Sequence, residues 1–292
     1  MFKVFYLKHD LLFFCYLCRV KLLKVLFDFY IDASIHVALA VLSLYLVTLR
    51  ILGLPHNFFL AGFMVLSTIV CYNFIKYGVE AEKYLIVDNS YHKIIQAFSF
   101  VCFGAMVYFA FQLSLDVLMA ISVLTIFSVL YALPVWPNGN SLRSLGVLKI
   151  FIVALVWTGF TVILPIIDAQ VTYTWDVWIL LVQRFLLILV LILPFEVRDV
   201  TFDYPEVSTI PRRLGLQSTK RLGYFLVILF FGLTFLKDDI QNVELMGRSF
   251  VTSALFLVIY LTKEKQSRYF SSFWVEGIPL FWFFAVVMLE NL

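Results

Sequence analysis

Nine runs of apolar residues, each about as long as a bilayer's hydrocarbon core is thick, constrain this chain more than any other feature. They cover roughly residues 31–52, 57–77, 94–111, 113–134, 147–167, 175–195, 219–236, 242–262 and 273–291. A helix rises about 1.5 Å per residue, so ~20 residues cross ~30 Å of hydrocarbon while bonding every backbone amide internally. Composition closes off the soluble alternative. With 63% hydrophobic and 14% charged residues and a mean hydropathy of +0.97, the chain holds more apolar surface than a water-soluble core can hide. The expected fold class is all-α: an integral, multi-pass membrane protein of nine transmembrane helices. Residues 1–30 read as an amphipathic, basic segment on the membrane surface, because Lys3, Lys8, Arg19, Lys21 and Lys24 interrupt its apolar residues. Residues 31–292 read as one membrane domain.

Orientation follows from the loops. With the N-terminus placed inside, all 22 lysines and arginines except Arg50, Arg184, Lys237 and Arg248 fall in cytoplasmic segments. Lysine and arginine favour that side of a membrane, so nine spans put the N-terminus in and the C-terminus out. The positive charge flanks the membrane, and no nucleic-acid partner is expected. Arg184 and Gln183 sit in the middle of the sixth run, where an arginine faces a cavity or a partner rather than lipid. Ser34 and His36, near the start of the first run, are candidates to line the same cavity. Cys15 and Cys18 form a lone C-x-x-C with only His9 nearby, too few ligands for a metal site.

The polar chemistry gathers after the sixth run. Glu196, Asp199 and Asp203 stand at i, i+3 and i+7. If the helix continues past Pro194, that spacing aligns three carboxylates on one stripe. Like charges in such a row repel unless a cation sits among them. Hard oxygen ligands of this type suit Mg²⁺, which keeps several waters and bridges to substrate phosphates. Arg198, Arg212, Arg213, Lys220 and Arg221 are close enough in sequence to neutralise a phosphate group. The same charges also fit a solvated cytoplasmic loop, which the charge rule alone would produce.

E-x-x-D-x-x-x-D at Glu196–Asp203, followed by T-I-P-x-x-x-G at Thr209–Gly215, resembles the second aspartate-rich motif of the UbiA-type intramembrane prenyltransferases. Leu130-Tyr-Ala-Leu-Pro134, with Arg143 and Lys149 downstream, is similar to that family's Y-S-x-P segment and its basic residues. The resemblance implies nine helices with both acidic motifs on the cytoplasmic side. It also implies Mg²⁺ on an isoprenoid diphosphate and transfer of the prenyl group to a lipophilic acceptor. Carried onto this chain, it makes Asp199, Asp203, Lys76 and Tyr131 the catalytic candidates. Asn73, Arg143, Lys149, Arg198 and Arg212 become substrate-binding candidates, and Glu196, Asp199 and Asp203 the metal ligands.

The departure lies after the second run. The family's first motif, N-D-x-x-D-x-x-x-D, is replaced by Tyr72-Asn-Phe-Ile-Lys-Tyr-Gly-Val-Glu-Ala-Glu-Lys83. Asn73 stands for the family asparagine, Lys76 and Glu80 share its helix face, and Glu82 is close. A lysine contacts diphosphate as a point charge and can take over part of a metal's role. The same exchange also suits a non-catalytic member of the fold that binds isoprenoid lipid without ionising it. A transporter is the third reading, weakened because charge gathers at one face with only Arg184 near the midplane.

Overall fold

The computed structural model describes residues 21–77, 89–132, 146–200 and 209–291. Among them are nine helices of membrane-spanning length and composition and no strand. They are numbered here in chain order: α1 Ile35–Leu52, α2 Phe58–Tyr77, α3 Ser90–Ala110, α4 Leu115–Ala132, α5 Leu148–Asp168, α6 Trp175–Asp199, α7 Ile210–Leu236, α8 Asn242–Leu261 and α9 Phe270–Glu290. Residues 21–32 form a further helix that ends before α1.

The helices close into a ring. α1 packs on both α2 and α9, while α6 lies against α5 and α7. The larger core gathers Leu44 of α1, Val190 of α6, Leu255 of α8 and Trp282 of α9. α6 is the most buried span, whereas α3 and α4 turn most of their surface outward. Their outward residues, among them Phe100, Val101, Tyr108, Val123 and Ile126, are large and apolar. Such a surface suits lipid, whose tails are as apolar as the side chains they touch. The chain is an integral, multi-pass membrane protein.

Several helix ends differ from expectation for local reasons. α1 starts at Ile35 because Ser34 takes a left-handed conformation with φ 61°, so residues 21–32 form a separate helix. α6 does continue through Pro194 and runs 25 residues to Asp199. At 1.5 Å per residue that is about 37 Å, longer than the hydrocarbon, so its last turns reach the interface. α7 starts at Ile210, with Thr209 before it and Pro211 in its first turn. Proline there costs nothing because that N–H would have no helical partner. Gly215 then kinks the helix at φ 76°, ψ 164°, a conformation open to glycine and strained for other residues. α5 widens into a π turn at Gly159–Ile163. Pro165 offers no N–H to the carbonyl four residues back and its ring crowds it, which favours such a bulge.

Candidate active site

A cavity of about 380 Å³ opens where α2, α4 and α6 end and α5 and α9 begin. Its mouth is charged. Lys76 comes from α2, Lys149 from α5, and Glu196, Arg198 and Asp199 from the last turn of α6. The helix at 21–32 adds Asp32, and the α9 region adds Arg268, Ser272 and Glu276. Its inner wall is apolar and aromatic, with Tyr72, Tyr131, Trp157, Phe195, Ile188 and Leu191. A smaller annex of about 110 Å³ shares Tyr72, Tyr131 and Trp157 and extends past Cys71, Ser128 and Val156. The Trp157 indole donates to the Tyr72 hydroxyl at 3.0 Å, which fixes both rings at the junction. The space therefore has a charged end and an apolar limb.

Ion pairs organise the charged end. Lys149 Nζ lies 2.8 Å from Glu196 Oε1. Arg198 Nε donates to Asp199 Oδ1 at 2.7 Å, with its guanidinium 5.1 Å from the centre of the Phe195 ring. Arg268 Nη2 donates to both carboxylate oxygens of Asp32, at 2.6 and 2.7 Å. Hydrogen bonding to Asp32 holds the Arg268 guanidinium above its ordinary range. Glu276 sees Lys76 and Arg198 electrostatically. With both donor and acceptor ionised, such hydrogen bonds are short and strong.

Lys76 is held differently. Its Nζ donates to Ser34 Oγ at 3.0 Å and to the Ile31 carbonyl at 3.4 Å. Ser34 in turn donates to Asn73 Oδ1 at 2.7 Å. Asn73 Nδ2 donates to the Ala33 carbonyl at 3.1 Å and to Ser99 Oγ at 2.9 Å. These bonds tie the break before α1 to α2 and α3. They also explain how Ser34 tolerates its left-handed backbone, which costs about 1–3 kcal/mol unless its surroundings hold it.

Of the residues expected from the sequence, the fold brings Lys76, Tyr131, Lys149, Glu196, Arg198 and Asp199 to one cavity. Asn73 is buried beneath Lys76 and does not line it. Arg212 Nη2 donates to the Val200 carbonyl at 2.9 Å, at the end of α6. Arg143 and Asp203 lie outside the described residues, as do Glu80 and Glu82. Among the described residues, no group of three histidine, cysteine or acidic side chains is placed to hold a metal ion. Glu196 and Asp199 have cations against them instead, so the described walls do not by themselves fit Mg²⁺.

Three charged lining residues were not singled out from the sequence: Asp32, Arg268 and Glu276. Glu276 carried a usable signal, a carboxylate inside the ninth apolar run, where an ionisable residue marks function by default. Its position depends on a π turn at Phe270–Val275. His36 meets the Phe273 carbonyl of that turn through Nε2 at 2.9 Å, while the Tyr30 hydroxyl meets Nδ1 at 2.7 Å. His36 thus braces the turn from beside the cavity. Gly277 is required next to it, because a Cβ there would fall 2.6 Å from the Phe273 carbonyl oxygen.

No family model and no curated protein sequence matches the chain. Solved structures do. A UbiA homolog from Aeropyrum pernix K1, in its apo form, aligns with 88% of this chain and 99% of its own, at TM-score 0.62 and 13% identity. A UbiA homolog from Archaeoglobus fulgidus bound to DMAPP and Mg²⁺ aligns with 91% of this chain and 99% of its own, at TM-score 0.55 and 11% identity. The A. fulgidus homolog bound to GPP and Mg²⁺ gives TM-score 0.56 at 12% identity, over 91% of this chain and 100% of its own. Across nearly its whole length, with the cavity at one end of the helix ring, this chain has the fold of the UbiA homologs.

Proposed function

We propose that the cavity binds an isoprenoid diphosphate and transfers its prenyl group to a lipophilic acceptor. The observation that carries this is a cavity with a charged mouth and an aromatic wall, adjoined across Tyr72, Tyr131 and Trp157 by a smaller apolar one, which suits a molecule with an anionic head and an apolar tail. A. fulgidus homologs of the same fold are bound to DMAPP or GPP. In this reading the diphosphate lies among Lys76, Lys149 and Arg198, and the tail lies along Tyr72, Tyr131 and Trp157.

The chemistry requires the C–O bond to the diphosphate to break as positive charge develops on the first prenyl carbon. Ammonium and guanidinium groups already in place stabilise the departing oxygen without reorganising at that moment. The aromatic faces of Tyr72, Tyr131 and Trp157 shield the developing cation from water and attract it. The acceptor's nucleophile then bonds that carbon and gives up its proton, for which Glu276 and Asp199 are the carboxylates at hand. Basic residues gather around this end of the helices: Lys76, Lys93, Lys149, Arg198, Arg212 and Arg213 near helix ends, and Lys263, Lys265 and Arg268 between α8 and α9. We place them on the cytoplasmic side, with the N-terminus in and the C-terminus out.

The test is pyrophosphate release by the purified protein in lipid, using a panel of prenyl diphosphates with a lipid extract as acceptor. Release that falls at least about 100-fold in Lys149→Ala supports transfer, the range expected for loss of one preorganised charge beside the departing oxygen. The paired state of Glu196 and Asp199 favours a second reading, a non-catalytic isoprenoid-binding protein. Binding across the panel without release, when the native lipid extract is present, would select it.

A further inference from the structure

We infer that the anionic head of the ligand is held by the Lys76 ammonium and needs no divalent cation. The inference rests on the reading of this cavity as a diphosphate site. It concerns which group on α2 meets the head, where the family resemblance places metal-binding aspartates and this chain places a lysine.

Two observations single out Lys76. It is exposed to the cavity, and its hydrogen bonds go to neutral oxygens, the Ser34 hydroxyl and the Ile31 carbonyl. The other cavity cations each touch a carboxylate within 2.6–2.8 Å. Among the described residues Lys76 has no such contact, and Glu276 and Asp32 act on it only at longer range. An ammonium has three N–H donors, so two are spent on fixing its position and one remains for the cavity. The Asn73–Ser34 chain serves to hold that position, with Asn73 as a positioning residue two bonds removed from the ligand.

The carboxylates point the same way. A metal ion bound by Glu196 or Asp199 would have to displace Lys149 or Arg198 from contacts of 2.8 and 2.7 Å. An arriving diphosphate can instead share Lys76 with the neutral oxygens that hold it. A compact ammonium is suited to this, as a point charge that meets phosphate without a fixed planar geometry.

The experiment measures binding of inorganic pyrophosphate and of a non-ionising prenyl thiolodiphosphate to the full chain in lipid nanodiscs, in EDTA or in Mg²⁺. The wild type should bind both in EDTA within about threefold of its affinity in Mg²⁺. Lys76→Met should weaken binding in EDTA at least tenfold, about 1.4 kcal/mol, and Lys76→Arg should restore it to within about fivefold, since the charge is kept. Ser34→Ala, which keeps the lysine and loosens it, should cost a smaller factor and guards against a folding defect in Lys76→Met. Binding that vanishes in EDTA, or that Lys76→Met leaves unchanged, overturns the inference. Loss of the thiolodiphosphate in EDTA alone, with binding in Mg²⁺ intact, overturns it while the prenyl reading stands. Pyrophosphate bound in EDTA with no gain from the prenyl chain leaves the inference standing and removes the prenyl reading. No binding of either probe under either condition overturns both.

Discussion

The two halves of α6 place charge in the membrane in opposite ways. In the first half, close to the middle, Arg184 is fully enclosed. Its guanidinium donates to the Leu44 carbonyl at 3.0 Å, to Thr48 Oγ1 at 3.0 Å and to Thr161 Oγ1 at 3.4 Å, and lies 5.6 Å from the centre of a Trp282 ring. Gln183 beside it donates to the Phe230 carbonyl and to Thr234 Oγ1, both at 3.1 Å. Close by, Glu244 binds Lys237 at 2.7 Å and Arg248 at 2.6 Å, all three buried. At the end of the second half, Glu196, Arg198 and Asp199 face open space. Of the two expected alternatives, a cavity or a partner, Arg184 takes the partner: it ties α1, α5, α6 and α9 together inside the packing. A charged residue in an apolar run signals a partner in either case, and only the room around it tells a brace from a site.

This contrast breaks down if variants around the two halves behave alike. The largest effect should come from Glu244→Ala, which strands two buried cations and should cost about 3–5 kcal/mol of stability, read by thermal unfolding in detergent. If pyrophosphate release per folded molecule also falls strongly, the enclosed cluster is part of the site after all. Glu196→Gln should do the reverse, lowering release at least about tenfold while costing less stability than Glu244→Ala, because the amide keeps the shape and an oxygen acceptor for Lys149 at the cavity wall. Gly215→Ala forces a side chain into a left-handed backbone and should cost about 1–2 kcal/mol. Thr48→Val removes one bond to Arg184, and hydrogen bonds between membrane helices average about 0.6 kcal/mol. The smallest effect belongs to Arg50→Ala. Its ion pair with Glu290 is partly exposed, and such pairs contribute about 0–1 kcal/mol.

Much of the architecture was legible without coordinates. Each apolar run reports locally on its solvent, so nine spans and most of their ends followed from hydropathy. The continuation past Pro194 also followed, and it brings Glu196 and Asp199 to one cavity, while Asp203, the third carboxylate of the expected stripe, lies outside the described residues. The misread ends are instructive. The seventh apolar run begins at residue 219, yet the helix starts at Ile210, with Thr209 before it and Pro211 in its first turn; its first turns are basic and give hydropathy nothing to report. α1 was expected from residue 31, but the break at Ser34 is held by Asn73, 39 residues away. No local pattern announces a turn that is stabilised from another helix.

What the sequence determined by itself is therefore the solvent and the spans: a lipid-embedded chain of nine helices, with Glu196 and Asp199 spaced to share a helix face. Solvation and helical period act over a few residues, and both are written locally. The tertiary structure decided who meets whom. Asp32 reaches Arg268 across 236 positions, and His36 supports the turn before Glu276 through Phe273, 237 positions away. It also decided that Asn73 holds Lys76 in place and that Arg184 braces helices. Those outcomes depend on distances between helices, and such distances exist only once the ring has closed.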